Sequence, residues 1–169
     1  IFQYNKLNIL DFTSNTKRIP YIEGRGLIHK TFINGKKITI IDESYNASPA
    51  SMKSCITYFN NYIIDTHQRK ILLIGEMLEL GEASKKFHKE IFSFALKTSV
   101  NIILFCGPKY KNFILKLKKS NKELYYFNSE KKIMDFFNKK LLKNDIILAK
   151  GSNSSKINKL MSFILKKDR

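Results

Sequence analysis

Tryptophan is absent from the 169 residues, cysteine occurs only twice and proline three times. Two cysteines, Cys55 and Cys106, are too few for a disulfide framework, and neither stands in a metal-ligand spacing. Both are expected as free, buried thiols, which suits a reducing, cytoplasmic setting. No apolar run approaches the roughly 18 residues of a membrane-spanning helix, so no membrane insertion is expected. The longest runs, residues 71–74 and 102–106, have the length of buried strands. There is no GxxxxGK[ST] loop, so the chain has no evident means of cradling a triphosphate by itself. Neither a Ser-His-Asp arrangement nor a metal cluster stands out, and no residue is put forward as catalytic or as a metal ligand. An initiator methionine and a signal peptide are also lacking. With its opening at Ile1-Phe2-Gln3-Tyr4, the sequence reads as a piece of a longer protein.

Acidic residues are scarce as well: 14 Asp and Glu face 31 Lys and Arg, a formal charge of +17. That imbalance favours anionic ligands such as nucleotides at long range. The basic residues are nearly all lysines, spread through every segment among many Asn and Ile, and no nucleic-acid motif accompanies them. No specific nucleic-acid partner is therefore expected. The apolar share of 43% and aromatic share of 12% place the chain among folded domains, and its length suits one large domain.

Residues 1–23 are polar and weakly periodic, and read as the end of an upstream domain with a connector; the domain proper is expected over 24–169. Gly24-Arg25-Gly26 marks a turn. Two short strands follow, 27–33 and 37–41, and Asn34-Gly35 between them is a hairpin signal because both residues tolerate positive φ. From there strands and helices alternate. Ser48-Pro49 reads as an N-cap with proline in the first turn, opening a helix over about 49–63. Strands are expected at 70–75, 101–106, 123–127 and 145–149. Helices are expected at about 84–97, 108–118, 129–142, and finally to about 166. This order predicts βαβ units with right-handed crossovers. The fold class is α/β, a three-layer Rossmann-like sandwich of about six mostly parallel strands, with one antiparallel strand from the N-terminal hairpin.

In such sheets ligands lie beyond the carboxyl ends of the strands. Four loops fall there: Asp42 to Ala47, Gly75 to Gly81, Gly107-Pro108-Lys109, and Lys150-Gly151-Ser152-Asn153-Ser154. Asp42 and Glu43 are either strand-end acids in solvent or acceptors for vicinal ribose hydroxyls. Tyr45 is either core packing or a ligand contact. Lys150-Gly151-Ser152 is either a helix cap or, with the backbone N–H groups of a helix start, a carboxylate or phosphate anchor. His88 reads as a packed histidine before it reads as a base.

As a set these segments are more specific. Ile41-Asp42-Glu43-Ser44-Tyr45-Asn46-Ala47-Ser48-Pro49 resembles the D-[DE]-S-Y-N-A-N-P signature of the D-alanyl-D-alanine-adding, MurF-type branch of the Mur ligase family. Gly75-Glu76-Met77-Leu78-Glu79-Leu80-Gly81, with Ser84 and His88, is similar to that branch's G-[DE]-M-x-E-L-G-x-x-S-x-x-x-H stretch. Leu148-Ala149-Lys150-Gly151-Ser152 resembles its L-x-K-G-S loop, and Gly24-Arg25-Gly26 its G-R turn. The four motifs lie in order over most of residues 24–160. Departures are Ser48 for the second Asn, Glu43 and Glu76 where Asp is commoner, and a looser Asn153-Ser154-Ser155.

The resemblance implies the C-terminal domain of a three-domain, ADP-forming ligase that joins D-alanyl-D-alanine to UDP-N-acetylmuramoyl-tripeptide through an acyl phosphate. The P-loop and Mg2+ ligands would lie in the central domain, so this chain alone would be inactive. By the same resemblance Arg25 would reach the ATP phosphates, Glu43 with Asp42 beside it the ribose, and Tyr45 and Asn46 the adenine side. Lys150, Gly151 and Ser152 would lie near the dipeptide carboxylate. The alternatives are another Mur- or folylpolyglutamate-type ligase domain, or a basic nucleic-acid-binding α/β module.

Overall fold

The computed structural model describes residues 22–117 and 119–166. The expected end of an upstream domain, residues 1–23, lies outside them except for residues 22 and 23. Six strands are described: β1 (Leu27–Ile33), β2 (Lys36–Glu43), β3 (Lys70–Ile74), β4 (Ile102–Cys106), β5 (Glu123–Phe127) and β6 (Ile146–Lys150). Five α-helices join them: α1 (Pro49–Asn61), α2 (Ser84–Leu96), α3 (Pro108–Leu115), α4 (Glu130–Lys140) and α5 (Lys156–Lys166). They form one sheet in the order β1-β2-β6-β3-β4-β5, parallel except for the β1–β2 pair. The α/β architecture is therefore the expected one.

The hairpin turns at Asn34 and Gly35, with φ of 51° and 74°, as the paired positive angles of a tight hairpin require. Strands β3, β4 and β6 are buried along their whole length, which is why they read as unbroken apolar runs rather than alternating ones. Their side chains feed two cores. On one face Ile71, Leu73, Leu104 and Ile147 meet Ile133 and Phe137 of α4 and Ile157, Leu160, Met161 and Ile164 of α5. On the other, Leu72, Ile74, Ile103, Phe105 and Leu148 meet Met52, Ile56 and Phe59 of α1, Ile91 and Ala95 of α2, and Tyr110 of α3. The i, i+3, i+4, i+7 spacing in α5 is the apolar stripe of a helix lying on a sheet.

Layering follows from handedness. The crossovers β2–α1–β3, β3–α2–β4 and β4–α3–β5 step in one direction with their helices on one face. The crossover β5–α4–β6 steps back, so right-handedness puts α4 on the opposite face. β6 thus enters between β2 and β3, while its own helix, α5, leaves on the other side from α1 and α2. Loops diverge to opposite faces on both flanks of β6, which opens the ligand crevice of doubly wound sheets there.

Several boundaries differ from the sequence expectation. β2 runs to Glu43 rather than residue 41, because Asp42 and Glu43 pair with Ala149 and Lys150 of β6. β6 likewise ends on Lys150, not on residue 149. α1 stops at Asn61 and α3 at Leu115, short of the expected residues 63 and 118. Ser48 caps α1 in a capping box closed by Ser51, with proline in the first turn. Asp145, only 1% exposed just before β6, receives Arg69 Nε at 3.0 Å, Arg69 Nη2 at 2.7 Å and the Leu142 N–H at 2.7 Å. This pair ties the amino edge of the sheet.

Candidate functional site

Every segment singled out for chemistry meets at the carboxyl edge. The Gly24-Arg25-Gly26 turn leads into β1 and is laced to the end of β2: Gly26 N–H donates to the Asp42 carbonyl at 2.8 Å and Tyr45 N–H to the Gly24 carbonyl at 3.0 Å. Gly24 has φ of +75°, and a Cβ there would stand 2.7 Å from Tyr45 N, so this turn requires glycine. The lacing brings the exposed Arg25 over the Tyr45 ring, with Cζ 4.5 Å from the centroid. A guanidinium on an aromatic face keeps its N–H edge free for an anion.

Asp42 and Glu43 are successive strand residues and so point to opposite faces of the sheet. Glu43 shares the α1 face with Lys150, its register partner on β6, and its Oε2 lies 3.8 Å from Lys150 Nζ. Asp42 is 4% exposed, and its Oδ1 accepts the Ser44 N–H at 3.0 Å. On its side lies a cavity of about 320 Å³, lined by Gly24, His29, Asp42, Tyr45, Asn153 and, from α5, Asn158 and Ser162 among others. The Arg25–Tyr45 stack thus borders the hollow that Asp42 and Gly24 also line, while Glu43 lies on the other face of the sheet against Lys150. Asn46 is exposed and its Oδ1 accepts the adjacent Ala47 N–H at 2.8 Å.

The loop after β6 is sewn to the loop after β3. Gly75 N–H donates to the Lys150 carbonyl at 2.7 Å, Ser152 N–H to the Glu76 carbonyl at 3.1 Å, and Leu78 N–H to Ser152 Oγ at 2.9 Å. Gly75 and Gly151 let the two backbones touch: a Cβ on either would lie 3.3 Å from the other's Cα. Lys150 is 3% exposed, and its ammonium donates to the carbonyls of Asn46 and, at 3.3 Å, of Glu43. α5 opens at Lys156, after a turn at Asn153-Ser154, so Ser152 does not cap it. Accepting from Leu78 still leaves the Ser152 hydroxyl hydrogen able to donate.

The rest of the Gly75–Gly81 motif is held by two side chains. His88 is fully buried on α2; its Nδ1–H donates to the Ser84 carbonyl at 2.7 Å and its Nε2 accepts the Met77 N–H at 3.1 Å. Those two partners fix the tautomer, and burial lowers the imidazole's pKa below the usual value, the Ser84 contact opposing it. His88 is thus a loop clamp, as its packed reading expected. Glu76 reaches sideways, its Oε1 accepting the Lys109 N–H at 2.8 Å at the start of α3, where a carboxylate complements the helix dipole. Sequence reasoning missed that link, although a Glu after one strand and Gly-Pro after the next are the available signal. It also missed Asn158 and Ser162, whose i, i+4 spacing is the signal for a polar stripe. Burial raises the thiol pKa values, Cys55 to about 11 and Cys106 to about 12, so neither is an activated nucleophile.

Among the described residues no three His, Cys, Asp or Glu side chains converge to hold a metal ion. With Asp42 occupied by Ser44 and Glu43 set against Lys150, the described residues do not fit a Mg2+ site. Nor is any helix among them long and apolar enough to cross a membrane.

Known proteins resemble this chain in sequence and in fold. The family described as "Mur ligase, glutamate ligase domain" matches residues 29–153. The chain is 30% identical over 145 residues to a UDP-N-acetylmuramoyl-tripeptide–D-alanyl-D-alanine ligase of Rickettsia prowazekii (strain Madrid E), covering 86% of this chain and 30% of that protein. It is 30% identical over 166 residues to the protein of the same name from Buchnera aphidicola subsp. Acyrthosiphon pisum (strain APS), covering 97% of this chain and 32% of that one. The chain thus spans about a third of the length of the curated relatives it matches. Among solved structures, the MurF ligase of Thermotoga maritima in complex with ADP superposes with a TM-score of 0.68 at 23% identity, over 96% of this chain and 35% of that one. A MurF structure from Acinetobacter baumannii gives 0.72 at 16%, over 98% and 35%. These likenesses carry the fold.

Proposed function

This chain belongs to the Mur ligase family, as its glutamate ligase domain, and from that premise we propose that it is the part of an ATP-dependent amide ligase that closes over the nucleotide and receives the incoming amine. The substrates we assign are ATP, UDP-N-acetylmuramoyl-tripeptide and D-alanyl-D-alanine, and the setting, given ATP and a UDP-linked precursor, is the cytoplasm. The tripeptide carboxylate attacks the γ-phosphorus of ATP, forming an acyl phosphate and releasing ADP. The dipeptide amine then attacks the acyl carbon, loses a proton and expels inorganic phosphate. Mg2+ bound by a P-loop domain would neutralise the phosphates; this domain's own residues supply position.

The observation that carries the reading is that the Arg25–Tyr45 stack and the Glu43–Lys150 pair both lie at the carboxyl end of β2, beside the β6 loop. Arg25, with its N–H edge outward, is assigned to the phosphates. Glu43 is assigned to the ribose hydroxyls, and Tyr45 with Asn46 to the adenine side, with Asp42 supporting the turn from behind. The Lys150-Gly151-Ser152 loop borders the dipeptide's place, where the Ser152 hydroxyl can donate to its carboxylate. Holding amine and acyl phosphate at attack distance is the main source of rate, with charge stabilisation at the phosphoryl oxygens beside it.

Phosphate release by the full-length enzyme, given the tripeptide precursor and magnesium ATP, tests the assignment. D-alanyl-D-alanine should support release, single amino acids should not, and this chain alone should show none, having no P-loop. Equal turnover with a single amino acid would move the protein to another branch of the family.

A further inference from the structure

We propose that Lys150 is a positioning residue, whose buried ammonium clamps the chain from Glu43 to Asn46 and so fixes the pose of the side chains on the nucleotide side. The proposal rests on the reading of Glu43 and Tyr45 as nucleotide-facing. Lys150 ends β6 with Glu43 of β2 on one side and Ile74 of β3 on the other in register, and 3% of it is exposed. An ammonium has three protons and must place all of them when it leaves water. Three oxygens surround this one: the Asn46 carbonyl, the Glu43 carbonyl at 3.3 Å, and Glu43 Oε2 at 3.8 Å. All three belong to the segment that carries Tyr45.

The segment has few other ties. Tyr45 N–H is held by Gly24 and Ser44 N–H by Asp42, but the carbonyls of Glu43 and Asn46 both meet Lys150 Nζ. Glu43 has neighbours on two more sides: the Gly26 turn, where an added Cβ would stand 3.1 Å from its Oε1, and Cys55 of α1, whose thiol pKa it helps to raise. Removing the Lys150 charge therefore loosens the whole Glu43–Asn46 stretch, whereas a dipeptide carboxylate could recruit that charge only by stripping it from these oxygens. The rigid strand end transmits the β6 position to the nucleotide contacts.

Two experiments on the full-length ligase decide the matter. In the wild-type enzyme, lysines are acetylated with acetic anhydride and mapped by peptide mass, with and without D-alanyl-D-alanine. Lys150 should react at least about tenfold more slowly than in the urea-unfolded enzyme, and equally so in both conditions, because a committed buried amine is not a free nucleophile. Ready modification that the dipeptide blocks would overturn the proposal and make Lys150 a direct anchor. In the second, Lys150→Met should raise the apparent KM for ATP about tenfold or more, the equivalent of one charge-assisted hydrogen bond, with kcat and the dipeptide KM within about threefold. Lys150→Arg, which keeps the charge, should recover part of the loss. A dipeptide KM that rises as much as that for ATP, or an unchanged KM for ATP, would refute it. The labelling result needs no variant to fold and does not depend on which amine the enzyme accepts, so failure of the substrate assignment is distinguishable from failure of the clamp.

Discussion

Replacing His88 by Gln should flatten the decline of stability below about pH 6.5, the ordinary imidazole value. The native ring uses one nitrogen as acceptor and the other as donor, and sits edge-on to Tyr110 at 5.1 Å, fully buried. Protonation would set an N–H against the Met77 N–H and place a charge in the core. Burial is the main cause of the lowered native pKa; the Ser84 carbonyl and Glu76 oppose it, and Lys109 adds to it. Below its ordinary pKa the imidazole of the unfolded chain binds a proton that the native one refuses. The unfolded state then holds more protons, so stability rises with pH in that window. His88's contribution is therefore complete above about 6.5 and is lost progressively as pH falls toward the lowered native value. One proton corresponds to at most about 1.4 kcal/mol per pH unit. For a domain of this size 1 kcal/mol moves Tm by about 2–4 °C, so the effect approaches about 3–6 °C per unit. Melting curves of wild type and variant from about pH 7.5 to 5.5 isolate it, because the two proteins differ only at residue 88. Parallel Tm profiles would refute the reasoning and mean that His88 is protonated in the native loop.

Three further substitutions separate function from scaffold. Arg25→Ala in the full-length ligase should cost about 2.7–4 kcal/mol in transition-state stabilisation, about a hundred- to thousandfold in kcat/KM, and the stacking on Tyr45 only about 0.5–1 kcal/mol of stability; lost Tm with normal turnover would make it structural. Ser152→Ala deprives Leu78 N–H of its acceptor, about 1–3 kcal/mol of stability. It should also raise the KM for D-alanyl-D-alanine more than that for ATP, so a lowered Tm with both KM values unchanged would confine Ser152 to the loop. Asp145→Ala breaks the pair with Arg69 at the far edge of the sheet. It should cost about 3–5 kcal/mol in a denaturant titration and leave both KM values alone; altered substrate kinetics would mean that this edge communicates with the site.

The layered fold was legible because the apolar runs of β3, β4 and β6 and the stripe of α5 repeat at the periods of buried strands and a sheet-covering helix. The hairpin followed from Asn34-Gly35, and α1 from Ser48-Pro49. Strand ends were less legible: Asp42, Glu43 and Lys150 look like loop residues from their charge, and only pairing with a strand distant in sequence makes them strand. That one shift sends Asp42 and Glu43 to opposite faces. Motif reading placed the right loops at one edge but could not see that Lys150 and Ser152 spend hydrogen bonds on neighbouring loops, because those partners lie between 74 and 107 positions away.

The place of β6 bears on how the molecule comes to be made. A ribosome delivers β1 with β2, and later β3, β4 and β5, as two separate pieces of sheet. Each piece has one raw inner edge until residues 146–150 emerge, and unpaired strand edges invite wrong partners. When β6 slides between them it completes both ladders at once and brings Lys150 and Ser152 to their partners in the same step. Sheet closure and site assembly are a single late event, so a nascent chain halted before residue 146 holds all the nucleotide-side residues and yet no site.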